Sequence, residues 1–248
     1  MKIVVEDIKN FKDAVNAVVN LIDEGSFDVG PGGMHLRAMD PSQIALVDLE
    51  LPKEFFTGFD VDEKLVVSLN LTNFSKILST ARAGEKLSIG VNDDSSKLSL
   101  EFKGESKRRI SVPLLDLNYS EVKEPKVPFD AFVKLNAGAL KGMLGDAGLL
   151  SSHVIFEASD LEFIVEARGD SGDVRIETDK NSQIIKEFKV QNTARAMFPF
   201  EYLDNMTKSC SSDGLIELAL KTDAPIRINY LVGKAKLSYY LAPRVETI

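Results

Sequence analysis

A chain of 248 residues, 44% hydrophobic and 27% charged, has enough apolar material for one large core or two ordinary ones and holds no low-complexity tract. Its formal net charge of −8 excludes a protein that holds nucleic acid with its whole surface, though not one with a local basic face. No apolar run approaches the roughly 18 residues of a membrane helix, the start "MKIVVEDIKN" is too charged for a signal peptide, and the lone Cys210 excludes an internal disulfide and suits a reducing compartment.

In chain order, "NFKDAVNAVVNLID" (10–23) sets Phe11, Val15, Val18 and Ile22 at helical spacing. "GPGGMH" (30–35) is glycine-rich, but no Lys-Ser/Thr follows it and no helix begins there, so it reads as a hairpin turn rather than a phosphate loop. "LRAMDPSQIALVDLELP" (36–52) reads as a strand, a turn at Asp40-Pro41 and a second strand. Leu36 and Ala38 share one side, and Met39, Ile44 and Leu46 gather near the turn, which makes it a core corner or a docking pocket. Capping residues at Asn70–Asn73 precede a second helix, "FSKILSTARAG", expected to stop at Gly84. Alternation then predicts strands in "KLSIGV", "KLSLEF" and "RRISVPLL". "LNYSEVKEPKVPFD" (117–130), with Pro125, Pro128 and mixed charge, suits an extended connector, long enough to suggest function. Beyond it lie helices in "GALKGMLGDAGLL" and "FEYLDNMTKSC", the latter behind Pro199. Strands follow from "HVIFEA", "LEFIVEA", "DVRIET", "LIELAL", "IRINYL" and "KLSYYLAP".

Comparing each position with the one 129 residues later pairs apolar with apolar and turn with turn. Phe11 meets Leu140, Val15 meets Leu144, Phe27 meets Phe156, Leu36 meets Val165, Phe74 meets Leu203, and Gly104 meets Gly233. Few pairs are identities. The constant offset is what implies a duplication: one domain over 1–117, a connector over 118–129, and a second copy over 130–248. Each copy has two helices and many short antiparallel strands, an α+β fold in which strands dominate.

Chemistry is sparse. His35 and His153 lack a partner at ligand spacing and read as structural or surface residues; Cys210 reads as a small buried hydrophobe. Asp93-Asp94 reads as a solvated turn, and an acidic-site hydrolase built on that pair would lack both a paired base and a ligand set. No catalytic triad, dinucleotide fingerprint or metal cluster is present in the sequence, so an enzyme, a metal site and a cofactor are not expected. Charge placement says more. Lys9 and Lys12 sit on the first helix, Lys76 and Arg82 on an acid-free second helix, and Lys141 and Lys208 on the helices of the second copy. Acids gather elsewhere, at Glu54, Asp60, Asp62, Glu63, Glu121 and Glu124. Helices sharing one surface would make it less negative than the rest, able to meet phosphates without reading bases.

Four stretches, "LRAMDPSQIALVDLELP", "LNLTNFSKIL", "VPLLDL" and "KLSYYLAPRVE", resemble the DNA sliding clamps of archaea and eukaryotes, the proliferating cell nuclear antigen family. The resemblance covers essentially the whole chain and best fits a single archaeal-like clamp subunit. It implies a duplicated two-helix, antiparallel-sheet clamp domain, three subunits of which close a pseudo-sixfold ring around double-stranded DNA with helices lining the hole. It also implies a processivity factor, without cofactor or membrane attachment, that recruits DNA polymerase, ligase and flap endonuclease and is opened by an ATP-driven clamp loader. Its place would be the cytoplasm of an archaeon or the nucleus of a eukaryote. The alternative is a subunit of a heterotrimeric or damage-checkpoint clamp.

Carried over by position, the family's hole-lining basic residues match Lys12, Lys76 and Lys208, with Lys9, Arg82 and Lys141 nearby on the same helices. Asp13, Ser79, Gly142, Gly145 and Glu201 stand where eukaryotic relatives tend to be basic, implying a weakly positive hole. Clients bring a short peptide with a glutamine, an aliphatic residue and two aromatics. Its pocket would use Met39, Ile44 and Leu46, then Val122, Pro125 and Phe129 of the connector, then Pro225, Tyr240, Ala242 and Pro243. Glu124 departs from the apolar residue of a close relative. At the subunit joint, a strand carrying Arg108, Arg109 and Ile110 would pair with one carrying Val174, Ile176 and Thr178 of the next subunit, with Arg82 and Arg109 facing Asp146.

Overall fold

The structure, a computed structural model, describes residues 1–92, 96–117 and 122–244. The Asp93-Asp94 pair, residues 118–121 of the connector and residues 245–248 lie outside them. Two compact units emerge: Met1–Pro41 with Val47–Val122 and Val232–Leu237, and Ser42–Leu46 with Lys123–Leu231 and Ser238–Ile248.

The first half of the chain runs β1 (Lys2–Val5), α1 (Ile8–Val19), β2 (Glu24–Gly30), β3 (Gly33–Met39), β4 (Ala45–Pro52), a 3-10 turn (Lys53–Phe55), β5 (Gly58–Asp60), β6 (Leu65–Asn70), α2 (Leu71–Leu78), β7 (Lys86–Val91), β8 (Lys97–Lys103) and β9 (Lys107–Pro113). The second runs β10 (Ala131–Asn136), α3 (Ala137–Gly148), β11 (His153–Ala158), β12 (Glu162–Gly169), β13 (Gly172–Asp179), β14 (Ile185–Val190), β15 (Ala194–Pro199), α4 (Phe200–Thr207), β16 (Leu215–Leu220), β17 (Ile226–Val232) and β18 (Ala235–Leu241). Adding 129 to the bounds of α1 gives those of α3, and the same shift turns α2, β6, β7 and β8 into α4, β15, β16 and β17. Sheet order repeats as well. Strands β5-β1-β7-β8-β9 reappear as β14-β10-β16-β17-β18, and β4-β3-β2-β6 as β13-β12-β11-β15. The duplication is thus topological.

Local chemistry explains the helices. Asp7, Asn70 and Asn136 cap α1, α2 and α3 by accepting from the backbone N–H of Asn10, Asn73 and Ala139 at 3.0, 2.8 and 3.0 Å. Each helix buries one face: Phe11, Val15 and Val18 on α1, Phe74 and Leu78 on α2, Leu140 and Leu144 on α3. Phe11 is fully buried, with its ring 6.1 Å from Phe74 and 6.2 Å from both Phe55 and Phe56. In the second unit Phe156 lies 5.5 Å from Phe163 and 6.1 Å from Phe198. There the buried Tyr230 hydroxyl donates to Met206 O at 2.9 Å, which satisfies the polar end of an otherwise apolar ring. Helix α3 is unusual in carrying Gly138, Gly142, Gly145 and Gly148. A Cβ on Gly148 would meet the Phe200 ring at 2.3 Å, whereas Gly142 and Gly145 face open space.

All four helices end sooner than their sequence segments predict, α3 at Gly148 and α4 at Thr207. The first stops at Val19, although Ile22 beyond it is still buried. The second stops at Leu78 rather than reaching Gly84. The backbone N–H of Thr80 and Ala81 turn tightly onto Ile77 O and Leu78 O, and Arg108 of β9 takes the Thr80 carbonyl at 3.1 Å, occupying an acceptor that a longer helix would have used. The "GPGGMH" hairpin turn is present between β2 and β3. Gly33 has φ +139, and a Cβ there would fall 2.2 Å from Leu51 O, so only glycine fits.

On β3 and β4, His35 Nε2 lies 2.7 Å from Asp48 Oδ1, and Arg37 Nε donates to Asp48 Oδ2 at 2.6 Å. The hydrogen bond to Asp48 raises the His35 pKa against the opposing effect of burial. Burial pushes the Asp48 carboxyl up, but bonds from His35 and Arg37 outweigh it and leave it below its ordinary value. The His35 contribution to stability is complete below its ordinary 6.5 and is lost as pH rises through the raised value; that of Asp48 is present above 3.8 and is lost as pH falls. The melting-temperature gap between wild type and His35→Gln is therefore expected to be widest near pH 5.5 and to narrow by pH 8.5. A gap independent of pH across that range would remove the charged His35–Asp48 pair from the account.

Candidate functional site

The basic residues are placed by the helices and the turns that follow them. In the first unit, a shallow groove of about 290 Å³ brings Lys9, Lys12 and Arg82 together at the start of α1 and the turn after α2. Glu6, Asp7 and Glu85 share its walls, which tempers its charge. Lys9 pairs with Asp13 at 3.0 Å one turn on, an exposed pair of the kind that contributes little to stability. Lys76 is exposed on the last turn of α2, where a cation also complements the helix dipole. In the second unit, Lys141 Nζ donates to the carbonyls of Lys208 at 3.2 Å and Cys210 at 2.5 Å, tying α3 to the end of α4. Lys208 meets Asp204 at 3.1 Å and Asn205 at 2.8 Å. The 129-residue offset places Lys12 and Lys141 at equivalent positions of α1 and α3. Cys210 is buried beside this group, and burial pushes its thiol up to about 11, against a smaller opposing effect of Lys141. A thiol so placed is a packing group, not a nucleophile.

The joint residues occupy edge strands. Among the described residues of each unit, β9 pairs only with β8, and β13 only with β12. Arg108 points back into its own unit, donating to Glu85 at 2.6 Å and lying 4.9 Å from the Phe102 ring centroid. Hydrogen bonds from Arg108 and from the Arg82 backbone hold the buried Glu85 carboxyl below its ordinary value. Arg109 is 70% exposed and bonds Glu101 at 2.8 Å. Ile110, Val174 and Ile176 are half-buried, Thr178 is buried, and Asp146 is exposed on α3.

Of the pocket residues, Met39 and Val122 belong to the first unit, Met39 being 36% exposed. Ile44, Leu46, Pro125, Phe129, Pro225, Tyr240, Ala242 and Pro243 all belong to the second. Ala242 N donates to Ile44 O at 2.8 Å, which sets the end of the chain beside the turn of the opening stretch. Tyr240 Oη donates to Glu124 Oε1 at 2.5 Å, and the Arg227 guanidinium lies 5.1 Å from the Phe129 ring centroid. Leu46 and Tyr240 are buried. Arg227 gives no signal in the sequence, because an outward arginine in "IRINYL" looks like any solvent-facing strand position.

Protein-family models for the N-terminal and C-terminal domains of proliferating cell nuclear antigen match residues 3–124 and 123–245. The chain belongs to the proliferating cell nuclear antigen family. Members of that family are non-catalytic processivity factors, and this chain is no enzyme. Curated relatives include the DNA polymerase sliding clamp of Methanococcus maripaludis strain C7, 34% identical over 245 residues, which span 96% of this chain and 97% of the relative. The clamp of Thermococcus gammatolerans is 32% identical over 246 residues, 99% of this chain and 98% of that one. Among solved structures, PCNA from Thermococcus kodakaraensis superposes with a TM-score of 0.93 at 26% identity, covering 98% of this chain and 99% of that one. PCNA from A. fulgidus, solved with the C-terminal region of FEN-1 bound, gives 0.89 at 27% identity, covering 100% and 99%.

Proposed function

We propose that the chain is a DNA polymerase sliding clamp that closes on itself as a homotrimeric ring around duplex DNA and recruits replication and repair proteins through short peptides. The observation that carries this reading is the duplication: one fold twice in a chain, over the full length of relatives named as sliding clamps. Open edges at β9 and β13 support a head-to-tail contact in which β9 of one subunit adds to β13 of the next, with Ile110 facing Val174 and Ile176, and Arg82 and Arg109 near Asp146. Such closure also hides strand edges that would otherwise aggregate. Lys9, Lys12, Lys76, Arg82, Lys141 and Lys208 would meet phosphates weakly and without register, as a sliding part requires. The domain division at the connector over 118–129 belongs to the same reading, as do the ligase, the clamp loader and a cytoplasmic location. Among the described residues no helix is long and apolar enough to cross a membrane. The complex of A. fulgidus PCNA with a FEN-1 segment supports peptide recruitment here, through Ile44, Pro225, Tyr240, Ala242 and their neighbours.

Size-exclusion chromatography with light scattering tests closure. Three copies of 27.3 kDa give a mass of about 82 kDa, expected to hold down to micromolar concentration. A monomer or dimer there would overturn the homotrimer and favour a chain that needs different partner subunits.

A further inference from the structure

Residues 122–129 carry neither helix nor strand. Two side-chain contacts run from this segment to β17 and β18 of the same unit. Tyr240 Oη donates to Glu124 Oε1 at 2.5 Å. The Arg227 guanidinium lies over the Phe129 ring at 5.1 Å, and Phe129 meets Phe132 edge-on at 6.1 Å. Arg227 is itself steadied by Glu217 at 3.9 Å, whose carboxylate also accepts from Asn229 at 3.3 Å. Tyr240 is only 3% exposed, so an incoming aromatic side chain can lie against its ring only after a neighbouring segment moves. Burial, and then the bond to Glu124, push its phenol above the ordinary value against a smaller lowering effect of Arg227, which also bonds the Tyr240 hydroxyl and so links the two contacts.

We propose that Glu124 and Phe129 are the two ends of a clasp, held by Tyr240 and Arg227, that keeps the connector shut over Tyr240 until a client peptide opens it. This rests on reading the Tyr240 surface as the client pocket. Glu124 is then a positioning residue: it acts through Tyr240 and sets how readily the pocket becomes available. An apolar residue at this position would remove the bond to Tyr240 and keep the Arg227–Phe129 contact.

The test compares wild type, Glu124→Leu, Glu124→Gln, Tyr240→Phe and the Glu124→Leu/Tyr240→Phe pair. Amide hydrogen exchange over 122–129 is measured without peptide. Association of a labelled peptide carrying a glutamine, an aliphatic residue and two aromatics is measured separately. Removing the charged acceptor is expected to speed exchange about three- to tenfold and to raise the association rate by a similar factor. Glutamine keeps a carbonyl acceptor and is expected to restore most of the protection. The double variant is expected to exchange no faster than Glu124→Leu, because both changes break one bond. Unchanged exchange in Glu124→Leu overturns the clasp, and faster exchange with an unchanged association rate overturns its gating role. If wild type binds no such peptide, the client-pocket reading and the gating role fall together, while the exchange comparison still decides whether the clasp exists.

Discussion

Replacing Phe11 by alanine is expected to cost about 3–5 kcal/mol and to unfold the first unit well before the second in a denaturant titration. The expectation follows from complete burial and from three neighbouring rings, Phe55 and Phe56 at the 3-10 turn and Phe74 on α2, which are fixed in their own elements and cannot all move in to fill the space. Two transitions should separate, because the chain divides into two compact units and the second keeps its own aromatic set around Phe156. A single transition displaced by less than about 1 kcal/mol would mean that the site collapses freely, against the packing described.

The combined change of Lys12, Lys76, Lys141 and Lys208 to glutamine is expected to give the largest functional loss. Retention on circular duplex DNA should fall, and the dependence of binding on salt should flatten by about 0.9 in log–log slope for each phosphate no longer neutralised. Because the six proposed phosphate-facing cations act weakly and are partly balanced by Asp13 and Asp204, single changes should be mild and the combination severe. Lys141 needs a separate control, since it also ties the carbonyls of Lys208 and Cys210. A triple variant that keeps Lys141 should retain the wild-type melting temperature while shedding most of the salt dependence. Unchanged salt slope and polymerase stimulation in the quadruple variant would remove the helices from the DNA-facing role.

Much of this architecture is legible in the residues because helix periodicity and caps are local. Asn70 announces its helix, and apolar residues at a fixed offset announce the repeat, whereas the caps at Asp7 and Asn136 are visible only in the fold. The second helix is shorter than its own pattern predicts because what ends it is remote: Arg108, on β9, claims the Thr80 carbonyl. Strands such as β6, β10 and β15, short runs leading straight into helices, are defined by cross-strand pairing rather than by a distinctive pattern of their own. The candidate sites rest on family resemblance, which supplies positions but not the bonds between them. Tyr240 and Glu124 are separated by 116 positions in sequence, and no spacing rule joins them. Lys141 likewise reads as a surface lysine, and only the fold shows it spanning to the end of α4.

The four glycines of α3 bear on the order in which the molecule assembles. Glycine costs about 1 kcal/mol relative to alanine at an interior helical position, and α1, its counterpart in the first copy, contains none. With identical length and an equivalent asparagine or aspartate cap, the two helices differ in how much tertiary packing each needs to form. Helix α1 carries no such penalty and can join early with α2, whose Phe74 meets Phe11. Helix α3 gains its stability only once Leu140, Met143, Leu144 and Ala147 have a sheet to lie on, so it condenses late onto strands already paired. Two copies of one fold are thus expected to arrive by different routes, the first led by its helix and the second by its sheet.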